Sequence, residues 1–250
     1  MINQNLHRQA VPLDRVAHRS TRVKLPNADW SVASRLNSMF VAAVEFGDAC
    51  RDFPIVFVKA GTDPDGKTQV APVAVFGLSQ EENLYLDGAT WRAAYMPALL
   101  RLYPFGMGRI DEKTFAIALD MSWSGVSTTE GDPLFDAAGE PTELLKTVQQ
   151  QLEQTEYEVQ RTRLVGLRLQ ELDLLREMRF DATLPGGATV SVEGFLTVDE
   201  DKLKALPDAA LVDLQRTGML ALVHAHLISL GHMRRLAEWR VQKSKPAQTR

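Results

Sequence analysis

Short apolar segments rich in β-branched and aromatic residues recur in the first half of the chain. They occupy residues 39–46, 53–60, 69–78 and 113–122, and their length and composition predict β-strands. An Asp-Gly turn separates the second segment from the third. Strands joined by such short turns pair antiparallel, so the pattern predicts a mostly antiparallel sheet. Pro72 has no backbone N–H to donate, which predicts an edge or strand-start position.

Helical periodicity replaces this pattern in the middle and at the end of the chain. Apolar residues repeat about every 3.6 positions over residues 142–178, but the apolar stripe changes register near 160–163 and Gly166 weakens a helix there. Two helices and one kinked helix both fit. Residues 219–240 are predicted to form the C-terminal helix.

Turn and capping residues predict the remaining elements. Pro-Gly-Gly at 185–187 lies between two alternating segments and predicts a β-hairpin. Asp199 is predicted to cap a short helix, and Pro207 to start another. Asn27 or Asp29 is predicted to cap a further short helix that reaches Met39.

These elements together predict an α+β fold, with helices packed on a mostly antiparallel sheet and a helical C-terminal part. Prolines 12 and 26 interrupt residues 1–30, which are predicted to form an irregular N-terminal arm. Residues 31–240 are predicted to form a single domain, and residues 241–250 a frayed tail.

Charge is spread unevenly along the chain. The formal net charge is −4, and the ends, residues 1–30 and 234–250, contribute +3 and +5, so the body between them carries −12. Such an acidic body argues against nucleic acid as a partner, because phosphate contacts need a basic surface.

Hydropathy and cysteine content restrict the location of the protein. No run approaches the roughly 20 apolar residues of a membrane span, and the N-terminal residues lack the apolar core of a secretion signal. A cytoplasmic location is therefore expected, with export by a non-classical route left open. The single cysteine, Cys50, excludes a disulfide within the chain.

The segment Trp91–Phe105 concentrates four aromatic residues, two arginines and two prolines. On a helix, Trp91 and Tyr95 would share an apolar face, while Arg101 would lie away from it. Core packing is one interpretation. The other is a pocket in which arginine and tyrosine side chains bind a carboxylate or a peptide. The ligand- or partner-binding residues predicted in this way are Trp91, Tyr95, Arg101, Tyr103 and Glu45.

Catalytic and cofactor motifs are weak throughout the sequence. His224 and His226 would point about 200° apart on a helix, which is unsuitable for chelating one metal ion. Cys50 has Arg51 beside it, but nearby aspartates oppose activation of the thiol. The glycines at 106 and 108 lack the third glycine of a dinucleotide-binding loop. No catalytic residue is assigned, neither a metal nor a cofactor is expected, and enzymatic activity is left open.

Six segments carry a family resemblance. They are VPLDRVAHR at 11–19, VEFGDACRDFPIVFV at 44–58, GLSQEENLYLDGATWRAAYMPALLRLYPF at 77–105, LFDAAGEPT at 134–142, GFLTVDEDKL at 194–203 and HLISLGHMRRL at 226–236. In this order they resemble SapC-like proteins over nearly the whole chain. The resemblance implies a bacterial protein linked to surface-layer formation, with a weaker hint of a role beside peptide or amino-acid modification. It supplies no catalytic residue.

Two functions fit these observations. The first is a non-enzymatic accessory protein that binds a partner protein or peptide. The second is an enzyme or small-ligand sensor in which Arg101 binds a carboxylate while Tyr95, Tyr103 or Glu45 moves protons. A homodimer formed through the apolar C-terminal helix is an open alternative.

Overall fold

The computed structural model describes residues 2–63, 65–109, 115–183 and 189–244. The chain divides into two compact units, which are described one at a time. Unit 1 comprises Met1–Arg35, Leu86–Arg92 and Ala98–Tyr157, and unit 2 comprises Leu36–Tyr85, Ala93–Pro97 and Glu158–Arg250. The prediction that residues 31–240 form a single domain stays a prediction.

Helices and short strands make up both units. The strands are β1 (Ala10–Pro12), β2 (Arg22–Val23), β3 (Ser38–Phe40), β4 (Ile55–Thr62), β5 (Thr68–Val75), β6 (Leu86–Asp87), β7 (Thr90–Trp91), β8 (Phe105–Arg109), β9 (Phe115–Asp120), β10 (Val126–Ser127), β11 (Asp132–Pro133), β12 (Leu175–Thr183) and β13 (Thr189–Val198). The α-helices are α1 (Phe46–Ala49), α2 (Ala98–Arg101), α3 (Glu143–Glu171), α4 (Glu200–Lys204), α5 (Asp208–Arg216), α6 (Met219–Ser229) and α7 (His232–Ser244). Short 3₁₀ helices occupy Trp30–Ala33 and Ala43–Glu45.

Unit 1 contains three small sheets, of strand order β1-β9-β8, β10-β2-β11 and β6-β7. All of their strand pairs are antiparallel. Strands β1 and β2 lie within residues 1–30, so the predicted arm contains paired strands. Asp29 accepts a hydrogen bond from the Ser31 amide and caps a helix, as predicted, but that helix ends at Ala33 and Met39 lies in β3.

Unit 2 is built on a five-stranded antiparallel sheet of order β12-β13-β4-β5-β3. The α+β prediction with a mostly antiparallel sheet is therefore confirmed. Strands β12 and β13 form the predicted hairpin, although its Pro-Gly-Gly turn lies outside the described residues. Asp199 caps α4 as predicted, and Pro207, predicted to start a helix, lies at the N-cap of α5.

The prediction of an edge or strand-start position for Pro72 is wrong, because β5 lies between β4 and β3 and Pro72 lies in its interior. The carbonyl of Pro72 accepts a hydrogen bond from the Val41 amide. In a strand, the nitrogen and carbonyl of one residue face the same neighbour. The proline nitrogen therefore faces the position just beyond Phe40, where β3 ends, and the sheet tolerates the missing donor.

Helix α3 is a single helix, so the two-helix alternative is wrong. Gly166 lies where α3 meets β5, and a Cβ atom there would be 2.5 Å from the Val70 carbonyl oxygen. The glycine permits close packing instead of interrupting the helix. The predicted extension to residue 178 is also wrong: α3 ends at Glu171, Asp173 adopts a left-handed φ of 52°, and the chain continues into β12.

The C-terminal helix predicted at 219–240 is two helices, α6 and α7. The Ser229 hydroxyl donates to the His226 carbonyl at 2.6 Å, and the Leu230 amide donates to the Leu227 carbonyl. This side-chain bond occupies a carbonyl of the last turn, and Gly231 follows. Helix α7 reaches Ser244, four residues into the predicted tail, and residues 245–250 lie outside the described part of the chain.

His226 joins α6 to the sheet of unit 2. Its Nε2 accepts a hydrogen bond from the Val198 amide at 3.1 Å, so Nδ1 carries the proton and donates to the Ile55 carbonyl at 2.8 Å. Burial lowers the pKa of His226 to about 4. His226 is therefore a neutral core residue with both ring nitrogens bonded.

Across the described residues, no helix is both long and apolar enough to cross a membrane.

Candidate functional site

The segment Trp91–Phe105 does not form the continuous helix that would give Trp91 and Tyr95 a shared apolar face. Trp91 ends strand β7, and the helical part is limited to α2. Pro97 precedes α2, and Pro104 follows it and cannot donate a helical hydrogen bond, so the two prolines limit the helix to one turn. Trp91 is half-buried, and Arg101, the last residue of α2, is exposed.

The predicted binding residues are divided between the two units. Trp91, Arg101 and Tyr103 belong to unit 1, whereas Tyr95 and Glu45 belong to unit 2. Their joint role in binding therefore stays a prediction, and each group is described within its own unit.

In unit 1, Tyr103 belongs to a buried group that we call the Asp120 cluster. It consists of His7, Tyr103, Asp120, Ser122 and Trp123. Asp120 is fully buried at the end of β9 and accepts hydrogen bonds from the Tyr103 hydroxyl at 3.0 Å and the Ser122 hydroxyl at 2.7 Å. The amides of Arg8, Gln9 and Ser122 donate three more.

These hydrogen bonds determine which protonation states the cluster holds. Burial opposes ionisation of Asp120, but the bonds from Ser122, Gln9 and Tyr103 outweigh it, and the pKa of Asp120 lies below its ordinary value. Burial and the neighbouring carboxylate raise the pKa of Tyr103. Burial lowers the pKa of His7, whose Nε2 lies 3.2 Å from the Phe105 carbonyl oxygen. The cluster thus holds one carboxylate with neutral Tyr103 and His7 beside it.

In unit 2, the structure brings together the other two predicted residues. The Tyr95 hydroxyl donates to Glu45 Oε1 at 2.8 Å, and Glu45 Oε2 accepts from the Ala42 amide at 2.8 Å. Glu45 is buried and Tyr95 is half-buried. The Tyr95 amide is also held, by a 2.7 Å bond to Asp52 Oδ2.

Asp52 connects this pair to a group that we call the Arg235 cluster, formed by Asp52, Tyr85, Tyr95, Arg235 and Trp239. The Asp52 carbonyl accepts hydrogen bonds from the Tyr85 hydroxyl at 2.5 Å and from Arg235 Nη2. The Arg235 guanidinium lies 5.0 Å from the Trp239 ring centroid and 5.9 Å from that of Tyr85. Burial raises the pKa of Tyr85 to about 12.

Helix α7 makes further contacts with the loop that carries Asp52. His232 Nε2 lies 3.0 Å from the Cys50 carbonyl oxygen, and burial together with the Arg235 charge lowers the pKa of this histidine. Burial also raises the pKa of the Cys50 thiol, in a side chain that is only partly buried. Cys50 is therefore not an activated nucleophile.

Residues of two resemblance segments meet at an open surface depression of unit 1. Its lining residues are Val16, Arg19, Ser20, Phe135, Asp136 and Ala137. The Arg19 guanidinium donates to the Ala137 carbonyl, and the Asp136 carboxylate accepts from the Ala138 and Glu140 amides. These polar groups fix the loop that forms one wall.

Comparison with known protein families identifies the chain. The family model for SapC matches residues 13–236. The protein belongs to the SapC family. Neither the curated proteins nor the solved structures that were searched contain a match to it.

Asp120 and Arg235, the charged residues at the centre of the two clusters in this SapC-family protein, were not among the predicted site residues. Asp120 has a local signal, since an aspartate followed two residues later by serine is typical of an Asx turn. Arg235 and Trp239 are four residues apart, which places them on one helix face. The acceptor that Arg235 binds, the Asp52 carbonyl, is distant in sequence and has no such signal.

Proposed function

We propose that this SapC-family protein is a non-enzymatic accessory protein that binds a partner protein or peptide. Its role would be in surface-protein assembly or beside peptide modification, as the family resemblance implies, and its location would be cytoplasmic. Arg101 is the proposed contact residue in unit 1, with Trp91 and Tyr103 in the same segment. Tyr95 and Glu45 are the proposed contributors from unit 2.

The exposure of Arg101 is the observation that carries this proposal. Arg101 ends a helix that is otherwise half-buried or buried, and it is flanked by the buried Leu100 and Leu102. An arginine on a fixed, short element can contact a carboxylate or a peptide carbonyl with little loss of main-chain entropy on binding. Arginine and tyrosine are also enriched among the residues that dominate protein interfaces.

The alternative, an enzyme or small-ligand sensor, has weaker support. It needs Tyr103, Tyr95 or Glu45 to move protons. The pKa of Tyr103 is raised, and its hydroxyl donates to Asp120. The Tyr95 hydroxyl donates to Glu45, whose other oxygen accepts the Ala42 amide. In each case the group that would move the proton is already engaged in an internal hydrogen bond.

Affinity purification after cross-linking in the native host tests the proposal. The tagged wild type is compared with Arg101→Ala and with the control Arg92→Ala, which alters an exposed arginine of the same segment. We expect one stoichiometric partner with the wild type and the control, and at least tenfold lower recovery with Arg101→Ala at an unchanged melting temperature. Equal recovery from all three proteins, or a matching loss of melting temperature in Arg101→Ala, would contradict the proposal.

A further inference from the structure

We infer that Arg235 is a positioning residue for Tyr95, acting through Asp52. The inference rests on the proposed function, in which Tyr95 contributes to the partner-binding surface. All of the residues involved belong to unit 2. The sequence separates them widely, because Asp52 follows α1, Tyr95 lies before α2 and Arg235 lies in α7.

Asp52 binds Arg235 and Tyr95 through different groups. Its main-chain carbonyl accepts from Arg235 Nη2 and from the Tyr85 hydroxyl. Its side-chain Oδ2 accepts from the Tyr95 amide at 2.7 Å. Two donors on one carbonyl restrict rotation of that peptide plane, and this fixes the direction in which the Asp52 side chain leaves the main chain. The carboxylate then sets the position of the Tyr95 main chain.

Aromatic rings hold the Arg235 guanidinium in place. Trp239 and Tyr85 meet edge to face, with centroids 5.1 Å apart and an interplanar angle of 81°. The guanidinium lies within 6 Å of both ring centroids. Its Nε is buried and has no hydrogen-bond partner among the described residues. Ring contacts, the Asp52 carbonyl and the Tyr85 hydroxyl, which accepts from Arg235 Nη2 at 3.2 Å, therefore determine where this charge lies.

The neighbouring arginine provides a matched comparison. Arg234 has a side chain that is 88% exposed and forms an ion pair with Glu238 within α7. It shares the helix and the charge of Arg235 but, within the described part of the chain, forms no hydrogen bond or ion pair with the Asp52 loop. Removing Arg234 changes the charge of α7 by the same amount and leaves the Asp52 carbonyl bonded.

Amide hydrogen exchange at Tyr95, read by NMR, tests the inference. Asp52→Ala removes the acceptor directly and defines the largest acceleration that can be observed. We expect at least tenfold faster exchange at Tyr95 in Arg235→Ala, no change in Arg234→Ala, and partial recovery in Arg235→Lys, which can still donate to the carbonyl but lacks the planar group over the rings.

A reference amide in unit 2 separates positioning from a general loss of stability. The Ile55 amide donates to the Ser229 hydroxyl at 2.9 Å and not to a member of the Arg235 cluster, and its exchange should change less than threefold in Arg235→Ala. Unchanged exchange at Tyr95, or equal acceleration at Ile55 and Tyr95, would overturn the inference. The measurement needs no partner, so a failure of the positioning role is distinguishable from a failure to recover a partner.

Discussion

The Asp120 cluster of unit 1 and the Arg235 cluster of unit 2 both enclose a charged side chain, but they stabilise it differently. Asp120 is fully buried and accepts five hydrogen bonds, three of them from main-chain amides. Arg235 is partly exposed, lies against two rings and leaves its Nε without a described partner. The Asp120 carboxylate is saturated with hydrogen bonds, whereas the Arg235 guanidinium is not.

This difference assigns different tasks to the two clusters. A buried charge with every lone pair occupied is expensive to alter, since each orphaned donor carries its own desolvation penalty. A guanidinium held by two rings, one carbonyl and one hydroxyl can be lost with less effect on the fold, so its removal reveals local consequences. We therefore assign stability to the Asp120 cluster and positioning of Tyr95 to the Arg235 cluster.

The largest expected effect is that of Asp120→Ala. The substitution leaves the Tyr103 and Ser122 hydroxyls and the amides of Arg8 and Gln9 without their acceptor. We expect a loss of about 4 kcal/mol in the free energy of unfolding, measured by urea titration with circular dichroism. Asp120→Asn keeps one oxygen and should lose less. A loss below about 1 kcal/mol for the alanine variant would remove the distinction between the clusters.

His226 tests whether the stability contribution of a buried group depends on its charge or on having all of its hydrogen bonds formed. Both of its nitrogens are bonded, as in Asp120, but the ring is neutral. Its pKa falls from 6.5 to about 4 on folding. Its contribution to stability is therefore complete above pH 6.5 and is lost as the pH falls towards 4, by about 3 kcal/mol.

Urea titrations between pH 7 and pH 4 measure this effect. His226→Gln should flatten the pH dependence, with the remaining slope attributable to His7 and His232 and, near pH 4, to carboxyl groups such as Asp120, whose pKa values are also lowered. An unchanged slope in His226→Gln would show that this histidine is not the group that titrates.

Gly166→Ala tests whether close packing limits the stability of unit 2. The new Cβ would lie 2.5 Å from the Val70 carbonyl oxygen, so either α3 or β5 must shift. We expect a loss of about 2 kcal/mol in the free energy of unfolding. Gly47→Ala in α1, where a Cβ meets nothing within 4 Å, is the control and should be neutral or slightly stabilising. Equal effects of the two substitutions would contradict the packing account.

The smallest expected effect is that of Arg235→Met, which keeps an apolar side chain against the Tyr85 and Trp239 rings. The Tyr85 hydroxyl still donates to the Asp52 carbonyl. We expect a loss of about 1 kcal/mol in the same urea titration. A loss as large as that of Asp120→Ala would show that both clusters contribute equally to the stability of the fold.

Local sequence patterns predicted much of the fold. The β4–β5 and β12–β13 hairpins and the caps Asp29, Asp199 and Pro207 depend on residues within a few positions of each other. Gly166 and Pro72 were misread because their roles depend on neighbours from other elements: the Val70 carbonyl for the glycine, and the end of β3 for the proline.

The candidate site was less predictable for the same reason. Composition identified Trp91–Phe105 as a candidate segment. The structure pairs Tyr95 of this segment with Glu45, which lies 50 positions earlier in the chain. Asp120 and Arg235 owe their roles to donors and acceptors up to 183 residues away along the chain. The periodicity of one segment contains no information about such contacts, so the clusters became visible only in three dimensions.

The central claim is that recognition uses Arg101. Isothermal titration calorimetry tests it most directly, with the partner that cross-linking identifies purified separately in its free form. The account predicts at least tenfold weaker binding by Arg101→Ala than by the wild type, with Arg92→Ala unchanged and all three proteins melting within about 2 °C of each other. Equal affinity of Arg101→Ala and the wild type for that partner would contradict it.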